Sequence, residues 1–304
     1  MIALEFFSGI GGFAQAARQL GIDIVAAFDQ DAAANQIYEI NYGLTPNCRN
    51  LDSIRPEEIP AADLWWMSPP CAPYTVRGAQ RDDKDRRARS MLNLLSVAAR
   101  LKPKFLVVEN VLGFAQSSVL KKFKQELQNE GYGFLEIFLC PTRFGIPARR
   151  PRLFVCAMPE ELSGIAATYE QGRADISPTR PLVDFLISQP GEALIVDETD
   201  RKRYDPVLNI IDPIEPGQQA ICFTSGYGRC WKASGSLVRM KDGRVRRFAP
   251  AEILKLLGFT EDFRMPENLS LTKQWRLVGN SLDVRCVVHV VALIHQLGEW
   301  QKVK

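Results

Sequence analysis

The chain has 304 residues, 46% hydrophobic and 24% charged, an ordinary globular composition with room for one large α/β domain and a smaller insertion. Lys and Arg number 38 against 35 Asp and Glu, so a net charge of +3 excludes whole-chain charge as an argument for a nucleic-acid partner. That case must rest on local clusters.

Short apolar runs at Ala3–Phe7, Ile24–Phe28, Leu64–Met67, Phe105–Glu109, Phe134–Leu139 and Leu153–Ala157 read as buried strands. Helical patterns fall between them at about Phe13–Leu20, Ala32–Asn41, Ser90–Leu101 and Val119–Glu130, each followed by a stop signal: Gly21, Gly43, Pro103 and Gly131. Alternation of this kind implies a mostly parallel sheet with helices on both faces, and ligands at the carboxyl ends of its strands. From about Ser163 to Arg247 prolines interrupt a weakly periodic stretch, after which Pro250–Gly258 and Leu282–Trp300 are again helical. The expected organisation is a discontinuous catalytic domain, residues 1–162 plus 249–304, with a target-recognition insertion at 163–248. No membrane span is expected, because no uninterrupted apolar run of about 18 residues occurs. Seven cysteines at unpatterned spacings suit free thiols in a reducing, cytoplasmic setting. His289 and His295, the only histidines, are six apart rather than at metal-pair spacing, so no metal is expected.

Four motifs sit at the strand ends. Phe6-Phe7-Ser8-Gly9-Ile10-Gly11-Gly12 turns from the first strand into a helix, where glycines allow positive φ and the helix terminus favours an anionic group. Asp29 closes the second strand, 20 residues after Gly9, at the spacing of a ribose-binding acid. The Gly-x-Gly-Gly spacing argues against a dinucleotide, and a tight turn with a surface Asp would look the same. Ser68-Pro69-Pro70-Cys71-Ala72-Pro73 follows the third strand. Prolines stiffen that loop and aim the sulfur, which a merely packing cysteine does not need. Glu109 ends an all-apolar strand, where a carboxylate is costly to bury without work to do. Arg149-Arg150-Pro151-Arg152 stands at the mouth of the next strand.

Together with Arg247-Phe248-Ala249-Pro250, Leu257-Gly258-Phe259 and Gly279-Asn280-Ser281-Leu282, these motifs resemble the cytosine-5 methyltransferase family, in order and over nearly the whole chain. The resemblance implies an α/β fold, a Rossmann-like S-adenosylmethionine-dependent methyltransferase sheet with a small target-recognition insertion. It implies that Phe7, Gly9, Gly11 and Pro70 line the S-adenosylmethionine pocket, with Asp29 on the ribose and Asp52 on the adenine. Asn280 and Ser281 would complete the pocket, and S-adenosylhomocysteine would be the product. Cys71 would add to carbon 6 of cytosine, Glu109 would stabilise protonation at ring nitrogen 3, and Arg150 and Arg152 would position Glu109 and the base. Ala148 departs from the glutamine that many members carry, which implies lost support for the site rather than lost chemistry.

The target base must leave its stack or already lie in a loop. The segment from Arg77 to Arg89 would close over it, with Arg81, Lys84, Arg86 and Arg87 as candidate phosphate contacts, although a solvated loop would look the same. Cys222-Phe223-Thr224-Ser225-Gly226-Tyr227-Gly228 resembles a stretch of the branch that methylates transfer RNA in the anticodon loop, typically the aspartate acceptor. Transfer RNA is therefore favoured over DNA, with a duplex-DNA enzyme as the alternative. Arg239, Lys241, Arg244, Arg246 and Arg247 form the clearest basic cluster and suit either polymer. A monomer is expected. A catalytically silent relative would need a broken motif, and a dehydrogenase would leave Pro69-Pro70-Cys71 unexplained.

Overall fold

The computed structural model describes residues 1–74, 82–172 and 177–302. Its chain divides into two compact units: Met1–Leu139 with Pro151–Ala174 and Cys286–Lys304, and Cys140–Arg150 with Asp175–Arg285.

In the first unit β1 (Ile2–Phe6), α1 (Gly12–Gln19), β2 (Asp23–Phe28), α2 (Ala32–Tyr42), β3 (Leu64–Met67), α3 (Arg89–Leu101), β4 (Phe105–Asn110), α4 (Ser118–Gln128), β5 (Tyr132–Leu139), β6 (Arg152–Pro159) and α5 (Glu160–Gly172) follow one another. They form a six-stranded sheet of order β2-β1-β3-β4-β6-β5. The first four strands are parallel. β6 pairs antiparallel with both β4 and β5, a departure from the simple alternation expected. β3 and β4 are wholly buried, which is why they read as continuous apolar runs rather than alternating ones. One core face packs Phe6 against Phe28, stacked at 4.9 Å, and against Trp65 at 5.0 Å. The other stacks Phe13 on Trp66 at 4.9 Å.

The second unit holds α6 (Glu198–Tyr204), β7 (Ile210–Ile211), β8 (Leu237–Arg239), β9 (Val245–Arg247), α7 (Pro250–Leu256) and α8 (Leu271–Gly279). Its three-stranded sheet, β7-β8-β9, is backed by Val196, Leu237 and Val245. A second nucleus gathers Phe223, Tyr227, Phe248 and Trp275. Tyr227 donates to the carbonyl of Ser236 at 2.5 Å and accepts from the Phe248 amide at 2.9 Å.

This division differs from the boundaries at 162/163 and 248/249 drawn from sequence texture. α5 continues to Gly172 in the first unit, and its irregular pattern reflects burial of only Leu162 and Ala166. Residues 140–150 belong to the second unit through the Ala148–Ala220 bridge and the Arg150 guanidinium, and 249–285 with α7 and α8 through Trp275, whose ring nitrogen donates to the Phe248 carbonyl. The last helix, α9 (Val284–Lys302), supplies Cys286 onward to the first unit. The segment Leu271–Glu299 has an 18-residue window of mean hydropathy 1.6, long and apolar enough by composition to cross a membrane, contrary to the sequence expectation. Of that window 72% is buried inside the protein, as in a core helix. Within it His289 meets the Glu170 carboxylate at 2.8 Å.

Candidate active site

The turn after β1 is built on unusual backbone. Phe7, Gly9 and Gly11 have φ of 59°, 52° and 87°. At Gly11 only glycine fits, since a Cβ there would lie 2.2 Å from the Tyr42 ring, whose hydroxyl donates to the Gly11 carbonyl at 2.9 Å. Asp29, at the end of β2, ties this turn to its own: its two carboxylate oxygens accept from the amides of Gly9 and Asp31, each at 2.8 Å. Burial raises the pKa of Asp29, and the Asp31 and Gly9 amides oppose that rise. Beside this acid the position a Gly9 Cβ would occupy is open, with nothing within 4 Å, and the buried hydroxyl of Ser8 has no partner. Beneath the turn Glu5 is buried, and desolvation lifts its pKa from 4.5 to about 8 against the hydrogen bond that Tyr38 donates at 2.8 Å. Asp52 is exposed and accepts from the Ser90 hydroxyl.

Cys71 stands exposed four residues beyond β3, in a turn closed by the Tyr74 amide to the Cys71 carbonyl at 2.9 Å. Asn110, at the end of the neighbouring strand, donates to the Pro69 carbonyl at 3.1 Å and so fixes the proline loop to β4. Pro70 is exposed beside Cys71. One residue before Asn110, the buried Glu109 carboxylate receives Arg152 Nε at 3.0 Å. Arg152 is the first residue of β6, the antiparallel neighbour of β4, and that pairing brings the two side chains together. The cost of burying Glu109 is met by this charged hydrogen bond.

Arg87 was grouped with the phosphate contacts by sequence. Its guanidinium instead donates to Asp85 at 2.9 and 2.6 Å. That hydrogen bond, with the negative charges of Asp85 and Cys71, holds its pKa above the usual value. Asn110 is a site residue that sequence reasoning missed, and the pairing of Arg87 with Asp85 was not foreseen. Asn110 was signalled by its place beside Glu109; nothing in the sequence distinguished Arg87 among the loop's other cations.

Other expected site residues stand elsewhere. Arg150, outside β6, donates from its guanidinium to Cys222 Sγ at 3.2 Å, to the carbonyls of Phe223 at 3.1 Å and Gly279 at 3.2 Å, and to that of Ser281. Its donors hold the second unit together rather than facing a base. Cys222 is half-buried; Asn280, the exposed C-cap of α8, precedes Ser281, whose buried hydroxyl has no partner. Lys84 and Arg86 are exposed, and Arg81 lies outside the described residues. In the basic cluster Arg246 is 3% exposed and bidentate to Glu252 at 2.8 and 2.7 Å, which corrects its assignment as a nucleic-acid contact. Arg244 pairs with Asp242 at 2.7 Å, and Arg247 lies 4.2 Å over the Trp275 ring and donates to the Ala193 carbonyl.

A glycine turn and an acid at the ends of β1 and β2, with a rigidly mounted thiol and a buried carboxylate at the ends of β3 and β4, define a Rossmann-like methyltransferase. The C-5 cytosine-specific DNA methylase profile matches residues 1–296, and the chain belongs to that family, as a cytosine-5 methyltransferase. It is 29% identical to the tRNA (cytosine(38)-C(5))-methyltransferase of Schizosaccharomyces pombe, with 96% of each chain covered. A DNA (cytosine-5)-methyltransferase of Dictyostelium discoideum is 26% identical, over 96% of this chain and 93% of that one. Among solved structures the Entamoeba histolytica methyltransferase EhMeth matches with a TM-score of 0.88 at 25% identity, covering 97% of this chain and 98% of that one.

Proposed function

We propose that this enzyme takes its methyl group from S-adenosylmethionine and delivers it to carbon 5 of a cytosine in the anticodon loop of a transfer RNA, through a covalent bond from Cys71. The observation that carries the reading is the strand-end pairing of Cys71, on a proline loop pinned by Asn110, with Glu109 held by Arg152. The near full-length likeness to a relative named for cytosine 38 of transfer RNA supports the choice of polymer.

The open space at Gly9, the unpartnered Ser8 hydroxyl and the Asp29 carboxylate fit a nucleoside-bearing methyl donor, which the Phe7–Gly11 turn, Asp29 and Asp52 would hold. When bound, that donor supplies an electrophilic methyl on a sulfonium and leaves as S-adenosylhomocysteine. Carbon 5 of cytosine is a poor nucleophile, so the chain's own residues must activate it. The Cys71 thiolate forms a bond to carbon 6, and the 5,6 double-bond electrons become available at carbon 5. Glu109 stabilises protonation at ring nitrogen 3 while Arg152 fixes its orientation. After methylation carbon 5 loses its proton to solvent, the 5,6 double bond re-forms and the carbon–sulfur bond breaks, returning Cys71 as thiolate.

The test is transfer of labelled methyl from S-adenosylmethionine to total transfer RNA and to genomic DNA in parallel, with Cys71→Ala alongside. Label is expected in transfer RNA, with turnover lost in the variant but donor binding kept. Label in DNA alone would overturn the polymer, and turnover by Cys71→Ala would overturn the nucleophile.

A further inference from the structure

In the basic run that sequence singles out, Arg246 and Arg244 are paired with Glu252 and Asp242, Arg247 lies over the Trp275 ring, and Arg239 and Lys241 are exposed. Two other cations of that unit are differently placed. Lys232 Nζ lies 3.4 Å from the centre of the Tyr204 ring and 5.4 Å from that of Trp231, and the Arg203 guanidinium lies 5.4 Å from the same Tyr204 ring. Among the described residues neither has a carboxylate within ion-pairing distance. Two nearby acids are already occupied: Glu198 on α6 by Arg201 and Lys202, and Asp205 just beyond it by Arg201.

Aromatic faces attract a cation without neutralising it, so both groups keep their full charge while losing freedom of motion. Trp231 packs on the core of Val196, Leu237 and Val245, so the group is rooted in the sheet. A cation fixed in advance forfeits less entropy when it meets a phosphate than a free surface lysine does. The group also continues the stretch that resembles the RNA-methylating branch. The loop from Thr224 to Ser234 is closed by the Thr224 amide to the Ser234 carbonyl at 2.9 Å, and by Cys230 to Gly226 at 2.7 Å. Trp231 and Lys232 fall within it, and Cys222 and Phe223 at its base are gripped by Arg150.

We infer that Arg203, Tyr204, Trp231 and Lys232 form a docking platform for a phosphodiester strand of the RNA substrate. The two cations take phosphates and the two rings hold them in place. The inference rests on the transfer-RNA reading above. Its partner is a polyanionic strand, because charge complementarity is what the platform offers and it presents no donor set aimed at base edges.

The experiment measures binding of unmodified transfer RNA to the full chain across a series of salt concentrations, for wild type, Lys232→Gln and Arg203→Gln, with methyl transfer by wild type run in parallel. Each variant is expected to weaken binding about five-fold and to lower the slope of log affinity against log salt by about 1. Lys232 sits between two rings, so thermal melting checks its variant; Arg203 is exposed on α6, and its variant carries the test if the first fails to fold. If wild type methylates transfer RNA and Arg203→Gln together with any folded Lys232→Gln keeps wild-type affinity and slope, the platform is refuted and the substrate reading stands. If wild type methylates DNA and not transfer RNA, the substrate reading falls and takes the platform with it.

Discussion

Replacing Arg246 by methionine separates the charge map of the sequence from that of the folded chain. As a phosphate contact, Arg246 would cost RNA affinity and nothing else. Its guanidinium is instead 3% exposed, and Glu252, fully buried, accepts from both of its terminal nitrogens and from the amides of Ala249 and Ile187 at 2.8 and 2.9 Å. Removing one partner of a buried pair leaves the other charge uncompensated, a loss of about 3–5 kcal/mol. With a urea dependence of about 2 kcal/mol per molar, the unfolding midpoint should fall by roughly 2 M, with its slope unchanged. The assay is urea unfolding followed by tryptophan fluorescence, with transfer-RNA binding measured below the transition. Adding Glu252→Gln to the variant should recover part of the loss, because the orphaned charge is gone while the side chain still offers an acceptor to the Ala249 or Ile187 amide. A midpoint within about 0.3 M of wild type, with weakened and less salt-dependent RNA binding, would refute the buried-pair account.

Two further outcomes concern the turn after β1 and the acid beneath it. Gly11→Ala forces a side chain into a φ of 87° and against the Tyr42 ring, and is expected to weaken S-adenosylmethionine binding at least ten-fold by calorimetry; Tyr42→Ala in the same chain should restore part of it. Glu5 makes stability depend on pH. Its folded-state pKa, about 8, lies above the 4.5 of the free group, so the folded state holds the proton more tightly, and stability is fully present below pH 4.5 and lost as pH rises through 8. At about 1.4 kcal/mol per pH unit the window is worth no more than about 5 kcal/mol, and Glu5→Gln should flatten that slope in denaturant titrations between pH 5 and 8. An unchanged slope would mean the carboxyl is ionised where it lies.

What sequence conveyed well were features whose cause is local. β1, β3 and β4 are buried on both faces, so each appeared as an apolar run of nearly the right length, and the turns leaving them carried their own glycine, proline or acid. Cys71 and Glu109 were legible because position at the end of such a run already fixes which edge of the sheet a residue occupies. The antiparallel reversal of β6 was not legible, because an apolar run carries no direction and the excursion from Cys140 to Arg150 reads as loop. α5 was missed for a related reason: only two of its residues are buried, so its apolar period is faint.

The arginines mark where this kind of reading stops. Arg150 and Arg152 are two residues apart and looked equivalent, yet the first is spent on carbonyls of residues 73 to 131 positions away while the second meets Glu109 through a strand pairing. Arg246 and Lys232 invert in the same way: the residue within a dense basic run is neutralised by Glu252, and the isolated lysine keeps its charge on a tyrosine face. The charge a side chain offers to a partner is what remains after its tertiary neighbours have taken their share, and those neighbours are distant in the chain. Spacing along the chain therefore located the chemistry at the strand ends, where backbone topology decides. Only the packed structure located the surface charge, because there the identity of the nearest carboxylate or ring decides.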